Sequence, residues 1–301
     1  MARTTVVMMT HNRRDELLRT LRHMIALPDA APVIVADNAS TDGTAEAVAE
    51  FQRARPDADV WLLRCEENLG AIARNHAVAE CATEYVAFCD DDTRWQPGAL
   101  TRAADLLDAH PGLASVTGRC LVEPELAEDP ISPELRHSPV PGPGWLPGPA
   151  LLGVMAGLTT FRADAFRQVG GFCERLWLGG EEELLALDLA AHGWWMCWDE
   201  DVVIHHAPSR QRDPRRRRQL GIRNTLWTLW LRRPLRSALR RTVDVLRSAP
   251  ADRATAAAVA EAAASAGWVL RRRQVVPDEV EHGLRLLEHS QRRSSARRYV
   301  G

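Results

Sequence analysis

Short runs of β-branched and apolar residues alternate with helix-patterned stretches through the first part of this chain. TTVVMMT (4–10) precedes an amphipathic stretch from Arg13 to Leu27, and PVIVADN (32–38) precedes a helix beginning near Gly43. VWLLRC (60–65) leads to a helix from Ala71 to Cys81, and YVAFCD (85–90) continues the series. Strands alternating with helices of this length specify βαβ units, and so an α/β domain with a largely parallel sheet covered on both faces. Ligands of such sheets collect beyond the carboxyl ends of the strands. The polar residues lie there: THNR follows the first strand, DNASTDG the second, and DDD closes the fourth.

Asp90, Asp91 and Asp92 are adjacent like charges that need compensation. Hard oxygen clusters of this kind bind Mg²⁺ or Mn²⁺, usually with a phosphate completing the shell. In extended backbone Asp90 and Asp92 point one way and Asp91 the other, so the spacing predicts a D-x-D pair sharing one metal. A solvated turn before the helix that starts near Pro97 is the plainer alternative. Asp37 ends the second strand, where a carboxylate can accept a base N–H. Arg74 opens the helix in ENLGAIARNHA, where a guanidinium suits base or diphosphate oxygens. Each of these, taken alone, also fits a turn or a surface residue.

Proline-rich sequence from Glu123 to Pro149 predicts a long irregular surface loop of the kind that serves as a lid. LLGVMAGLTTFR resumes as strand, ADAFRQVG as a short helix, EEELLALDLAAHG as a helix ended by Gly193, and WWMCWDEDVVIHH as a strand closing in His205 and His206. Beyond Pro208 come arginine-rich helices near 215–231, 235–246, 254–270 and 278–289. The expected organisation is an α/β domain over 1–208, with a nucleotide-binding half (1–123) and a second half (124–208) carrying the lid, then a helical basic extension over 209–301.

The net charge of −2 conceals a division: residues 207–301 hold 22 of the 38 arginines and 8 of the 40 acids, about +14, leaving about −16 on residues 1–206. Such a tail can dock on the acidic domain, build a homodimer, or meet an anionic membrane surface; nucleic-acid binding is not expected. No apolar stretch reaches the roughly 20 residues of a membrane span, and the N-terminus lacks a secretory pattern, so a cytoplasmic location, with contact to the inner membrane face open, is the expectation. Six scattered cysteines without a CxxC pair suit reduced thiols.

Taken together and in order, VVMMTHNR, VIVADNASTDGT, ENLGAIARN, YVAFCDDDTRWQPGAL, TTFRADAFRQVGGFCERLWLGGEEELLALDLAAHG and DVVIHH resemble the family 2 glycosyltransferases of the GT-A fold over roughly residues 4–230. The resemblance implies an inverting, metal-dependent transfer of a sugar from a nucleotide diphosphate donor to an acceptor hydroxyl on a small molecule or glycan intermediate. It implies Thr10, Asp37, Arg74, Asp90 and Asp91 as donor contacts, with Asp92 and His205 on Mn²⁺ or Mg²⁺. Glu182 falls where the family's general base is usually an aspartate, with Glu181 beside it toward the acceptor. Two departures stand out: Leu184 occupies a place often held by a carboxylate, and Asp188 one often held by a cation. Trp145, Trp177, Trp194 and Trp195 could stack on sugars or fill cores; Trp177 is the acceptor candidate. Arg223, in RNTLW, is expected near the site.

Two other readings compete. A sugar-1-phosphate nucleotidyltransferase should carry a glycine-rich phosphate loop after the first strand, where THNRRDE stands instead. A non-catalytic nucleotide-sugar-binding or scaffold protein has no need of both a D-x-D pair and a carboxylate at the base position.

Overall fold

The structure is a computed structural model and describes residues 2–208 and 214–291. Strands β1 (Thr4–Thr10), β2 (Val33–Asp37), β3 (Val60–Arg64) and β4 (Tyr85–Asp90) run parallel in the order β3-β2-β1-β4. Helices α1 (Arg14–Ile25), α2 (Thr44–Ala54) and α3 (Ile72–Ala79) connect them. Register sets Thr10 opposite Asp37 and Met9 opposite Asp90, so the polar ends of three strands meet at one edge.

The second half of the sheet is mixed. Beyond β4 the order continues β8-β6-β9-β5, comprising β8 (Thr159–Arg162), β6 (Leu113–Val122), β9 (Trp195–His206) and β5 (Thr93–Trp95). β8 is antiparallel to both neighbours, β6 and β9 are parallel, and β5 is antiparallel to β9. β6 escapes an alternation argument because it is buried on both faces and built from small and hydroxyl residues. Ser115 and Thr117 are fully buried there, and the Thr117 hydroxyl meets that of Thr159 at 2.8 Å. Of the expected strand through LLGVMAGLTTFR, only Thr159–Arg162 is strand.

Side chains of period two divide between the faces. Val6 and Met8 join Leu17 and Leu21 of α1 and Leu100 and Leu107 of α4 (Ala99–Ala109). Val7 and Phe88 join the other layer, with Phe166 of α6 (Ala163–Gln168) and Leu185 of α7 (Glu181–Ala191). Phe88, Phe161, Phe166 and Phe172 pack there with centroids 5.4–5.7 Å apart. Burying each such ring contributes roughly 1.5–3 kcal/mol, so this cluster fixes the floor beneath the strand ends.

The segment 123–149 departs from the expected lid. It contains β7 (Ala127–Glu128) and α5 (Ile131–Arg136) and lies against β9: the Trp198 amide donates to the Pro149 carbonyl (3.1 Å), and the Arg136 guanidinium sits 4.9 Å over the Trp198 ring. The Trp198 contacts hold its later part on β9, while its first residue, Glu123, donates its amide to the His206 carbonyl (2.8 Å) at the end of that strand.

The extension comprises α8 (Pro214–Arg232), α9 (Leu235–Ser248), α10 (Arg253–Ala264), α11 (Ala266–Arg272) and α12 (Asp278–Gln291); the single alanine-rich helix expected over 254–270 is broken at Ser265. Val276, Val280 and Leu284 enter the same apolar layer as Phe88, so the extension shares the core of the α/β domain. Its arginines find acids: Arg232 pairs with Asp188 of α7, and buried Arg233 pairs with Glu281 and, at 2.8 Å, Glu288. Asp188 thus obtains a cation from α8. All six cysteines are free thiols, and no described helix is long and apolar enough to cross a membrane.

Candidate active site

A cavity of about 570 Å³ opens at the ends of β1 and β4. Thr10 ends β1 and Asn12 and Arg13 follow it into the cavity, Asp90 ends β4 and Asp91 and Asp92 follow it, Gly70 and Arg74 enter from the start of α3, and Trp177–Glu182 come from the approach to α7 and its first turn. Arg216, Arg217 and Leu220 of α8 complete the wall.

The carboxylates do not alternate as an extended chain would place them, because β4 ends at Asp90 and Asp91–Asp92 form a turn. Asp90 is bound by Arg74 at 2.5 Å. Asp91 and Asp92 instead converge on one guanidinium nitrogen: Arg13 Nη1 donates to Asp91 Oδ1 at 2.9 Å and to Asp92 Oδ2 at 3.3 Å. The Thr10 hydroxyl donates to Asp91 Oδ2 (2.9 Å), so Thr10 faces the cavity through this acid. Burial pushes the Asp91 carboxyl up to about 7 against the pull of Arg13, with repulsion from Asp92 and Asp90 adding to the rise.

Arg74 is buried over the Phe88 and Phe172 rings, and its Nε has no hydrogen-bond partner. Gly157 permits the close approach of Asp90: a Cβ there would lie 2.7 Å from Asp90 Oδ2.

Glu181 and Glu182 occupy the first turn of α7, where the helix N-terminus favours anions. Glu182 Oε1 accepts the Ala156 N–H at 2.5 Å; burial first and the Glu181 charge second push its carboxyl up to about 7. Glu181 lies deeper, is raised by burial, and leaves Oε2 without a hydrogen-bond partner. A buried carboxyl beside a half-buried one in one cavity, the second poised near neutrality, forms a pattern suited to proton transfer.

Trp177 lines the cavity in a conformation rare for a large residue, φ +61° and ψ −71°. The Leu178 amide donates to the Leu176 carbonyl (2.8 Å), closing a strained three-residue γ-turn on Trp177. Its indole N–H donates to Asn68 O (3.0 Å), and its carbonyl accepts the Ala71 amide (2.7 Å). Asn224 holds the loop from outside, its amide donating to the carbonyls of Leu176 (2.8 Å), Leu178 (3.3 Å) and Gly179 (2.7 Å). Arg223 donates to Leu176 O as well (3.1 Å), so it reaches this loop's backbone rather than the cavity.

Other expected residues lie elsewhere. Asp37 is buried and accepts the Ser40 amide (3.0 Å), shaping the turn after β2; Asn38, next to it, lines the cavity instead. His205 faces Glu123 at 3.7 Å, and His206 is the histidine near Asp92, 3.7 Å from its Oδ1. Successive strand residues face opposite sides, so only one of the pair can turn toward the acids. Trp145 lies over His110, Trp194 donates to Gln168, and neither these nor Trp195 line the cavity. Arg13, Asn38, Asn68 and Asn224 escaped the sequence reading, and His206 entered it only as the neighbour of His205, although THNR, DNASTDG, ENLG, DVVIHH and RNTLW were the signals that contain them.

The donor set fits a hard divalent cation. Arg13 Nη1 between Asp91 and Asp92 demonstrates that their oxygens converge on a point that holds positive charge, and His206 Nε2 stands 3.7 Å from the other Asp92 oxygen, while Asp90 is turned to Arg74. Among the described residues, one trio brings metal-capable atoms within 4.8 Å of one another: Cys120, Asp129 and His206.

Residues 5–167 match the profile of Glycosyl transferase family 2. The chain is 28% identical to the N-acetylglucosaminyl-diphospho-decaprenol L-rhamnosyltransferase of Mycobacterium tuberculosis over 288 aligned residues, covering 78% of this chain and 88% of that one. Its fold is similar to the mannosyltransferase PcManGT from Pyrobaculum calidifontis, solved with GDP-Man and Mn²⁺ (TM-score 0.60, 23% identity, 97% of this chain and 76% of that one). It is also similar to TarS residues 1–349 from S. aureus, solved with UDP-GlcNAc (TM-score 0.55, 14% identity, 75% and 66%).

Proposed function

The chain belongs to glycosyl transferase family 2 and is a glycosyltransferase, and on that premise we propose that its cavity moves a sugar from a nucleoside diphosphate to an acceptor hydroxyl with inversion at the anomeric carbon. The observation that carries this is the meeting of Asp90–Asp92 with Glu182 in one cavity. Opposed functions, holding a diphosphate and removing a proton, need those groups together.

Mn²⁺ or Mg²⁺ held by Asp92, with Asp91, Asp90 and His206 around it, would neutralise charge building on the leaving diphosphate. Asn68 offers its amide nitrogen to the nucleoside, while buried Asn38 holds the adjoining loop, donating to the Gly70 carbonyl (2.9 Å) and accepting the Leu69 amide (2.7 Å). Arg74 orients Asp90. Glu182, ionised, accepts the proton of the acceptor hydroxyl through the oxygen not bound to Ala156. The acceptor oxygen then bonds to the anomeric carbon as the bond to the diphosphate oxygen breaks, and the proton remains on Glu182. One displacement inverts the centre. Trp177 and Glu181 form the acceptor side.

The similar mycobacterial enzyme is named for a lipid-diphosphate acceptor. Arg216 and Arg217 at the mouth suit an acceptor that also carries phosphate. Thermal shifts with nucleoside diphosphate sugars, with and without Mn²⁺, test the donor reading, because a bound donor stabilises by mass action. Transfer to a polyprenyl-diphosphate saccharide tests the acceptor. A protein that no donor stabilises with either metal overturns the proposal.

A further inference from the structure

Helix α9 carries an apolar stripe that the described residues leave uncovered. Leu235, Leu239, Val243 and Leu246 recur at helical spacing within an arc of about 80°, and Leu235 and Leu239 are 63% and 58% exposed. The face toward the protein is a different one, carrying buried Ala238 and Val245. Beside the stripe on its solvent flank stand Arg236, Arg240 and Arg247. Arg236 and Arg247 have no ion-pair partner among the described residues, while Arg240 reaches Glu288.

A second segment extends this surface. Gln274 and Val276 donate to the Leu231 and Arg232 carbonyls, which sets exposed Val275 beside the end of α8, just before α9 begins at Leu235. Leu270, 69% exposed, and Arg271 and Arg272 precede it at the end of α11. Apolar side chains flanked by guanidinium groups are the composition of a helix that lies in a membrane interface and pairs with anionic headgroups.

We infer that the α9 stripe, with Leu270 and Val275, docks the enzyme peripherally on an anionic lipid surface. Charge decides against a second copy of the chain as occupant: a two-fold interface would set the same arginine row against itself, with Asp244 the sole acid of α9 and already near Arg241. Phosphate headgroups offer the complementary charge, and the leucines the insertion depth.

The test is flotation of the full-length protein with phosphatidylcholine vesicles and with vesicles of mixed phosphatidylcholine and phosphatidylglycerol. The protein is expected on the mixed vesicles alone and released by salt. Arg236→Ala or Arg247→Ala should lower partitioning about fivefold each, and Leu239→Asp should abolish it while leaving thermal stability and transfer to a soluble acceptor unchanged. Equal partitioning onto both vesicle types, no partitioning onto either, or insensitivity to these substitutions overturns the inference. So does lipid-free self-association that Leu239→Asp abolishes, since a second copy then covers the stripe.

Discussion

The Trp177 carbonyl occupies the space that a side chain on Gly70 would need. A Cβ on Gly70 would overlap that carbonyl and come within 2.8 Å of Trp177 Cδ1, and Gly70 itself holds φ +60°. The adjacent Ala71 amide donates to the same carbonyl, so the start of α3 and the loop before α7, more than a hundred residues apart in sequence, are one rigid wall of the cavity.

Gly70→Ala should therefore combine left-handed strain with displacement of Trp177. We expect a loss of stability on the order of 1–3 kcal/mol, measured by denaturant unfolding, together with weaker acceptor binding. A fully stable Gly70→Ala enzyme with parental KM for acceptor would disprove the coupling.

Asp92→Ala should abolish metal-dependent donor binding and leave the fold intact, since Arg13 retains Asp91 as partner and carboxylate repulsion is relieved. Calorimetry with a nucleoside diphosphate and Mn²⁺ measures this. Unchanged affinity would remove Asp92 from the metal site.

Glu182→Gln keeps size and polarity but takes no proton, so transfer should fall roughly 10²-fold or more while donor and metal bind normally. The parent's kcat/KM should rise with pH through about 7, and the variant should lose the Glu182 share of that limb and keep only the share of Asp91, which burial also pushes up to about 7. Stability should show the linked effect. Native Glu182 keeps its proton up to about 7, above the ordinary 4.5 of the unfolded chain, so parental stability falls as pH rises across that window. Glu182→Gln should thus melt higher than the parent above pH 7 and converge with it below about 4.5. If Glu181→Gln is dead and Glu182→Gln active, the roles of the two are exchanged.

Asn224→Ala withdraws the amide from three carbonyls of the Trp177 loop and should cost about 1–3 kcal/mol. Asn224→Asp should be worse, because a carboxylate cannot donate to them. As Asn224 acts through the loop, acceptor KM should rise more than kcat falls. A drop in kcat alone would point to a different role.

The sequence by itself determined what depends on neighbours along the chain. Period-two apolar runs and intervening helices specify the α/β sheet, strand ends specify the cavity's edge, and DDD, GGEEELL and Arg74 specify most of its charged residues. The division of charge likewise marks the helical extension. Tertiary structure decided which groups face each other. Strand termination at Asp90 broke the expected alternation and sent Asp91 and Asp92 to Arg13, and the phase of β9 turned His206, rather than His205, toward the acids. β6 stayed hidden because a strand buried on both faces has no polar face to alternate with. Segment 123–149 left the cavity because Trp198 holds it on β9, and Asn224 entered the argument because α8 folds back on the Trp177 loop. These outcomes rest on registers and contacts between residues tens to hundreds of positions apart, and local pattern carries no information about where such distant partners meet.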